Sequence, residues 1–195
     1  SLILLPISYF SAATIALVTL RIGHLAGLKV VALATLATGI LAQLVLGTPW
    51  VSLGFLLMMW LPVWWVAVVL RRSQSLGKAV LHAAIIGGGV VALFHLLIPD
   101  PLQWWQLILS DVFQLLLSGG GDEGLQQVSQ MVEDVAPLMT GVLAMMMVFH
   151  LIGGLFVARW WQAVLYNPAG FGAEFRALQL GRRVAIGGTI LLGLS

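Results

Sequence analysis

Five apolar runs of bilayer length, separated by short stretches that hold almost every charge, leave this chain few folds to adopt. They are Leu2–Leu20, Val30–Leu46, Trp50–Leu70, Ala79–Ile98 and Leu138–Ala158, and a sixth opens at Val184 and runs to Ser195. A helix crossing the ~30 Å hydrocarbon layer needs ~20 apolar residues, so each full run matches one crossing. A helix is the expected form because it satisfies its own backbone polar groups. The alternation of a membrane barrel is missing. The expected fold is all-α: a polytopic transmembrane bundle of five full spans and a truncated sixth, forming a single membrane domain over residues 1–195.

Composition excludes the soluble alternative. Hydrophobic residues make up 61% of the chain and charged residues 8%, against ~45–50% and ~25% in ordinary globular proteins. Nine basic and seven acidic side chains cannot cover a soluble domain of this size. The chain has no cysteine, which removes disulfides, thiolate catalysis and cysteine-based metal sites. The leading run lacks a basic n-region and a small-residue cleavage site, so it is not read as a signal peptide. A start at Ser1 and a stop about a dozen residues into the last run read as a piece of a longer protein.

Charge placement orients the bundle. All nine basic residues fall in odd-numbered connections: Arg21 and Lys29; Arg71, Arg72 and Lys78; and Arg159, Arg176, Arg182 and Arg183. Six of the seven acids (Asp100, Asp111, Asp122, Glu123, Glu133 and Asp134) lie in the fourth connection. The positive-inside rule then puts the basic loops, including residues 159–183, in the cytoplasm. The expected location is the bacterial inner membrane, multi-pass, with lipid as the principal partner. No nucleic acid is expected, because such binding gathers Lys and Arg on one face, whereas these residues are spread over helix ends. Trp50, Trp104, Trp105, Trp160 and Trp161 fall where interfacial belt residues do. Trp60, Trp64 and Trp65 lie deeper around Pro62, which is expected to kink the third span.

Residues 102–137, on the outer face, are not a plain loop. Gln103, Gln106, Ser110 and Gln114 recur at spacings of three and four, drawing a polar stripe along an otherwise apolar helix. At ~1.5 Å per residue, Leu102–Leu117 is about 24 Å long, short for a span. It is open whether this helix lies in the interface, tucks back into the bundle or leans on its neighbours with the glutamines inward. After Gly119-Gly120-Gly121, Asp122 caps a second helix, and Pro137 starts the fifth span. The segment reads either as a structural cap or as a lid over an outward-facing pocket, hinged at the glycines.

His150 lies near the middle of the fifth span, where an ionisable group is a functional hypothesis by default. Met146 and Met147 precede it by four and three residues, so at least one shares its face. The candidate ligand-contact residues are His150, Met146, Trp60, Trp64, Gln106 and Gln114. The plainer readings are a histidine bonded to an adjacent helix and tryptophans used for packing. No metal site and no cofactor is expected. Catalytic motifs are missing and no Asp or Glu lies within a span, so no catalytic residue is assigned and the chain is read as a non-enzyme. Ala12 and Ala16, Ala84 and Gly88, Gly87-Gly88-Gly89 and Gly153-Gly154 supply small surfaces for close helix approach, within the chain or against a partner.

The fifth connection contains Tyr166-Asn167-Pro168-Ala169-Gly170-Phe171-Gly172-Ala173-Glu174-Phe175-Arg176. Physically it is a turn followed by a short helix presenting Phe171 and Phe175. This string resembles the Asn-Pro-Gly-Gly-Phe…Glu-Phe-Arg signature of the YybS-like bacterial membrane proteins, a family of unknown function. The run from Pro6 to Gly23 resembles that family's first conserved region, and Ala169 departs from the usual second glycine. The family is distantly similar in architecture to the substrate-binding S components of energy-coupling-factor transporters. That resemblance implies a small hydrophobic or vitamin-like ligand under the outer segment. It also implies a membrane partner docked on Ala12 and Ala16, while the charge-poor, aromatic stretch with Asn167, Pro168, Phe171 and Phe175 reads from its own residues as lying against the inner leaflet or seating a cytoplasmic partner. A structural scaffold for envelope or division machinery, without a ligand, is the alternative.

Overall fold

The computed structural model describes residues 4–116, 122–166, 172 and 175–176, with side chains for residues 9–113, 129–165, 172 and 175–176. The expected sixth span at 184–195, the glycine hinge at 119–121 and most of the 159–183 loop lie outside the described residues. Every regular element described is helical: α1 Leu4–Arg21, α2 His24–Leu46, α3 Val51–Phe55, a π-helical turn Leu56–Trp60, α4 Leu61–Ser73, α5 Leu76–Leu97, α6 Pro101–Leu116, α7 Asp122–Val135, a 3-10 turn Ala136–Leu138 and α8 Met139–Tyr166.

Four helical stretches are long and apolar enough to cross a bilayer: His24–Leu46, Val51–Ser73, Leu76–Leu97 and Ser129–Leu165. In α1 the apolar stretch Tyr9–Arg21 is shorter, although the whole helix has 18 residues. The breaks follow local chemistry. Gly47 closes α2 in the left-handed region at φ 70°, its N–H bonded to the Gln43 carbonyl, as a C-terminal glycine does. Asp100 opens α6 by accepting the Gln103 N–H at 2.9 Å, with Pro101 in the first helical position. The first break is far shorter than the Arg21-to-Lys29 stretch suggests. Only Ile22 and Gly23 separate α1 from α2, and Lys29 lies inside α2.

The Val51–Ser73 stretch carries an irregularity where a kink was expected. A proline at position 62 has no N–H to donate, and its ring crowds the carbonyl four residues back. The chain absorbs this in the π turn just upstream, where the Leu61 N–H reaches the Leu56 carbonyl five residues back. Such turns occur as single insertions within α-helices.

The described residues fall into two compact units, one made of the chain up to Ile86 and from Met147 onward, the other of Gly87–Met146. In the first, α1 packs on α2 and α4, and α2 on α3 and α4. Its core is rich in alanine: Ala12, Ala13, Ala16, Ala67, Ala79, Ala83 and Ala158 are buried beside Ile15, Val63, Leu151 and Leu155. Lipid is as apolar as leucine, so helices in a bilayer gain little by hiding large side chains from it. Small residues, by letting backbones close up, gain more through van der Waals contact. The large apolar side chains accordingly point outward, as Leu33, Leu36, Leu44 and Ile85 do.

In the second unit, α6 packs on α7 and on the 3-10 turn. Trp105 anchors it. Its indole is 8% exposed and donates to the Thr140 hydroxyl at 2.8 Å. Phe94 stacks on Trp105 and meets Trp104 edge-on, with centroids 5.6 and 5.1 Å apart. Trp105 is therefore a core residue of this unit rather than a belt residue, because its N–H has a buried acceptor 35 positions away. Trp105→Phe leaves the buried Thr140 hydroxyl without its donor and should cost ~1–3 kcal/mol. A double-mutant cycle with Thr140→Val, read by thermal melting in detergent, should return a coupling near 1 kcal/mol. Strict additivity would show that the bond contributes nothing.

Candidate functional site

The site is built on α8. From Met147 onward, Leu151, Leu155 and Ala158 recur at spacings of four and three and enter the core of the first unit. His150, Gly153 and Gly154 lie alongside that stripe and face α1. The His150 ring lies 4.8 Å from the Tyr9 ring, tilted by 43°. The glycines permit this approach. A Cβ on Gly153 would lie 2.7 Å from a Tyr9 ring carbon, and one on Gly154 would lie 2.8 Å from the Ala12 Cβ. Both separations are below any real contact, so the two helices meet closely only because these positions lack side chains. Farther along, Phe10 and Trp161 stack almost parallel, with centroids 5.7 Å apart.

Within this packing the Nε2 atom of His150 is buried and has no hydrogen-bond partner. A buried polar atom left unpaired costs ~1–3 kcal/mol, and native structures contain few of them. The two histidines of α5 behave differently. His82 and His95 each place Nδ1 against a carbonyl one turn back, at 2.8 and 2.9 Å. His150 is half-buried as a residue, and its Nε2 atom combines burial with an unmet bond.

The other sequence candidates are placed as follows. Trp60 is 7% exposed and part of the core, stacked on Phe55 at 6.0 Å. Trp64 donates its indole N–H to the His24 carbonyl at 2.8 Å, tying α4 to the start of α2. Both tryptophans therefore have packing or bonding roles already. Met146 is 63% exposed, whereas Met147 packs against the core. Gln106 belongs to the second unit, half-buried on α6 beside Trp105. The side chain of Gln114, and all of Asn167, Pro168 and Phe171, lie outside the described residues.

Two interface candidates change their meaning. Ala12 and Ala16 are completely buried, and Gly154 covers Ala12. The small-residue face of α1 is thus closed by the chain's own packing and is not open to a partner, because alanine and glycine here serve close approach between α1 and α8. Phe175 is 52% exposed and meets Phe156 of α8 edge-on at 5.6 Å, so one side of its ring is already engaged.

Sequence reasoning missed two contributors. Tyr9 gave no periodic or charge signal, and only the tertiary approach of α1 to α8 puts it beside His150. Arg71 was read as a topology marker alone, yet its Nη1 donates to the Thr19 and Leu20 carbonyls, both at 2.9 Å. It therefore caps the C-terminus of α1 with a cation, where the helix dipole favours one. Gly23, at φ 143°, makes the turn beneath it.

Between α2 and α3 an apolar groove of about 480 Å³ is lined by Thr35, Leu36, Gly39, Ile40, Gln43, Leu44, Pro49 and Ser52. None of the ligand candidates lines it. Among the described residues no group of three or more His, Asp or Glu side chains is gathered to hold a metal ion. No protein-family model matches the chain, and neither does any curated protein or solved structure.

Proposed function

We propose that this chain is a non-enzymatic, multi-pass protein of the bacterial inner membrane that binds a small, largely apolar molecule, with any transport driven by separate subunits. The observation that supports binding is the buried, unpartnered Nε2 of His150 beside Tyr9: a polar contact is present and its complement is missing. The bundle comprises five spans and part of a sixth, with the basic connections in the cytoplasm. The gathering of all nine basic residues in the odd-numbered connections or the helix ends that flank them supports that orientation. Kinship with the YybS-like proteins and, more remotely, with S components rests on the Asn167–Arg176 string. Fold-level likeness of that kind does not itself give function. Partner contact is assigned to the cytoplasmic connection, since the α1 small-residue face is already covered.

Native mass spectrometry of the detergent-purified protein tests this reading. A non-lipid adduct on the wild type that is lost in His150→Ala is the expected result. A clean wild-type spectrum, with His150→Ala silent in cells, overturns it. One observation favours the scaffold alternative: the α1–α8 seam is closed to van der Waals contact at Ala12 and Gly154, as in a bundle filled by its own side chains. A clean spectrum would leave that scaffold as the surviving reading.

A further inference from the structure

Resting on the reading of His150 as a ligand contact, we infer that its ligand is a lipid-soluble molecule that is uncharged at the buried end. It presents a single hydroxyl or N–H group on an apolar body and is neither a carboxylate nor an amine.

The argument is one of complementarity. Every described charged side chain of the first unit is a Lys or Arg, and no carboxylate is described there. Among the described residues, an ammonium group brought to His150 would find no counter-ion. The basic groups offer a carboxylate little more. Arg71 is engaged with the Thr19 and Leu20 carbonyls. Arg159, the nearest cation along α8, donates to Gln162 at 2.8 Å and lies nine residues away, about 13 Å along the helix axis. Removing an ion from water into apolar packing is expensive unless it is paired and fully bonded.

A hydroxyl avoids that penalty. Imidazole meets it in either tautomer, Nε2 accepting from the hydroxyl in one and donating to its oxygen in the other, and one such bond completes Nε2. The surroundings suit the rest of the molecule. The Tyr9 ring lies against His150, Met147 one turn before it packs on the core, and Gly153 leaves the ring of Tyr9 close to the α8 backbone. A single bond at Nε2 can thus discriminate among otherwise apolar molecules.

Thermal shift of the full chain in detergent tests this with three probes built on one isoprenoid chain, ending in an alcohol, a carboxylate or a primary amine. The alcohol should raise the wild-type Tm by a few degrees at saturation, and the two ions should not. His150→Phe fills the site with an apolar ring and should abolish the shift, while His150→Asn keeps a donor and an acceptor and should retain part of it. A shift from the carboxylate or amine equal to the alcohol's overturns the assigned class but leaves binding at His150 standing. An alcohol shift unchanged in His150→Phe overturns the site. No shift from any probe also overturns the class, and the native mass spectrum then separates the two claims. An adduct that persists preserves the binding reading, and a clean spectrum removes both.

Discussion

Gly154→Leu is expected to prevent the bundle from assembling, with little folded protein recovered from membranes and a broad, early melt in detergent. The substituted position faces the Ala12 Cβ, and even a methyl group there would approach it to 2.8 Å, with the α1 backbone at 3.7 Å. Neither atom can turn aside, so the helices must part. Overpacking of this kind costs ~1–3 kcal/mol for a small addition and more for a large one. In lipid no hydrophobic gain offsets it, because an expelled leucine is equally well solvated. Gly27 is similarly confined. A Cβ there would collide with the Thr19 hydroxyl and lie 3.0 Å from the Thr19 Cβ and 3.1 Å from the Trp64 ring, so turning the hydroxyl aside does not clear it. Gly154→Ala should fall between wild type and Gly154→Leu. Equal melting temperatures for all three would mean that α1 and α8 do not rely on this contact.

Arg71→Ala should be the second most damaging change, at about 2 kcal/mol, and Arg71→Lys should recover part of it. The guanidinium satisfies two terminal carbonyls of α1 from a neighbouring helix and lies 3.9 Å from where a Gly23 side chain would begin. Alanine leaves those carbonyls to water or lipid head groups and removes the cation from the negative end of the helix. Lysine restores the charge without the planar fork. Limited proteolysis at the α1–α2 turn is the direct readout: cleavage should rise sharply in Arg71→Ala and modestly in Arg71→Lys. An unchanged cleavage rate would show that Thr19 and Leu20 are held by α1 itself.

The helices were legible in the sequence because their signal is long and redundant. Twenty apolar residues admit few alternatives, and Gly47 and Asp100 mark their ends by chemistry that acts within one turn. What was illegible depends on partners remote in sequence. Trp105 looks like a belt residue until Thr140 is placed beside it. Ala12 and Ala16 look like a docking face until Gly154 is found to cover Ala12. Charge counting reads Arg71 as a topology marker, since nothing local reveals carbonyls 51 and 52 positions upstream. His150 was legible for the opposite reason: one imidazole in a long apolar run is conspicuous without knowledge of its neighbours. Tyr9 was not, because an aromatic ring near the start of an apolar helix is ordinary.

The π turn at Leu56–Trp60 sets the phase of the apolar stretch Val51–Ser73. A residue inserted into an α-helical path advances the azimuth of everything beyond it by ~100°. The segment before the turn is thereby offset in phase from the segment after it by a fixed angle. Ser52 can face Gly39, whose Cβ would lie 3.2 Å from its hydroxyl, while Trp60, Val63 and Val66 keep the opposite half of the same rod aimed at the alanine core. One rod thus serves two faces: its first turns line the α2–α3 groove through Ser52, and its later turns fill the alanine core.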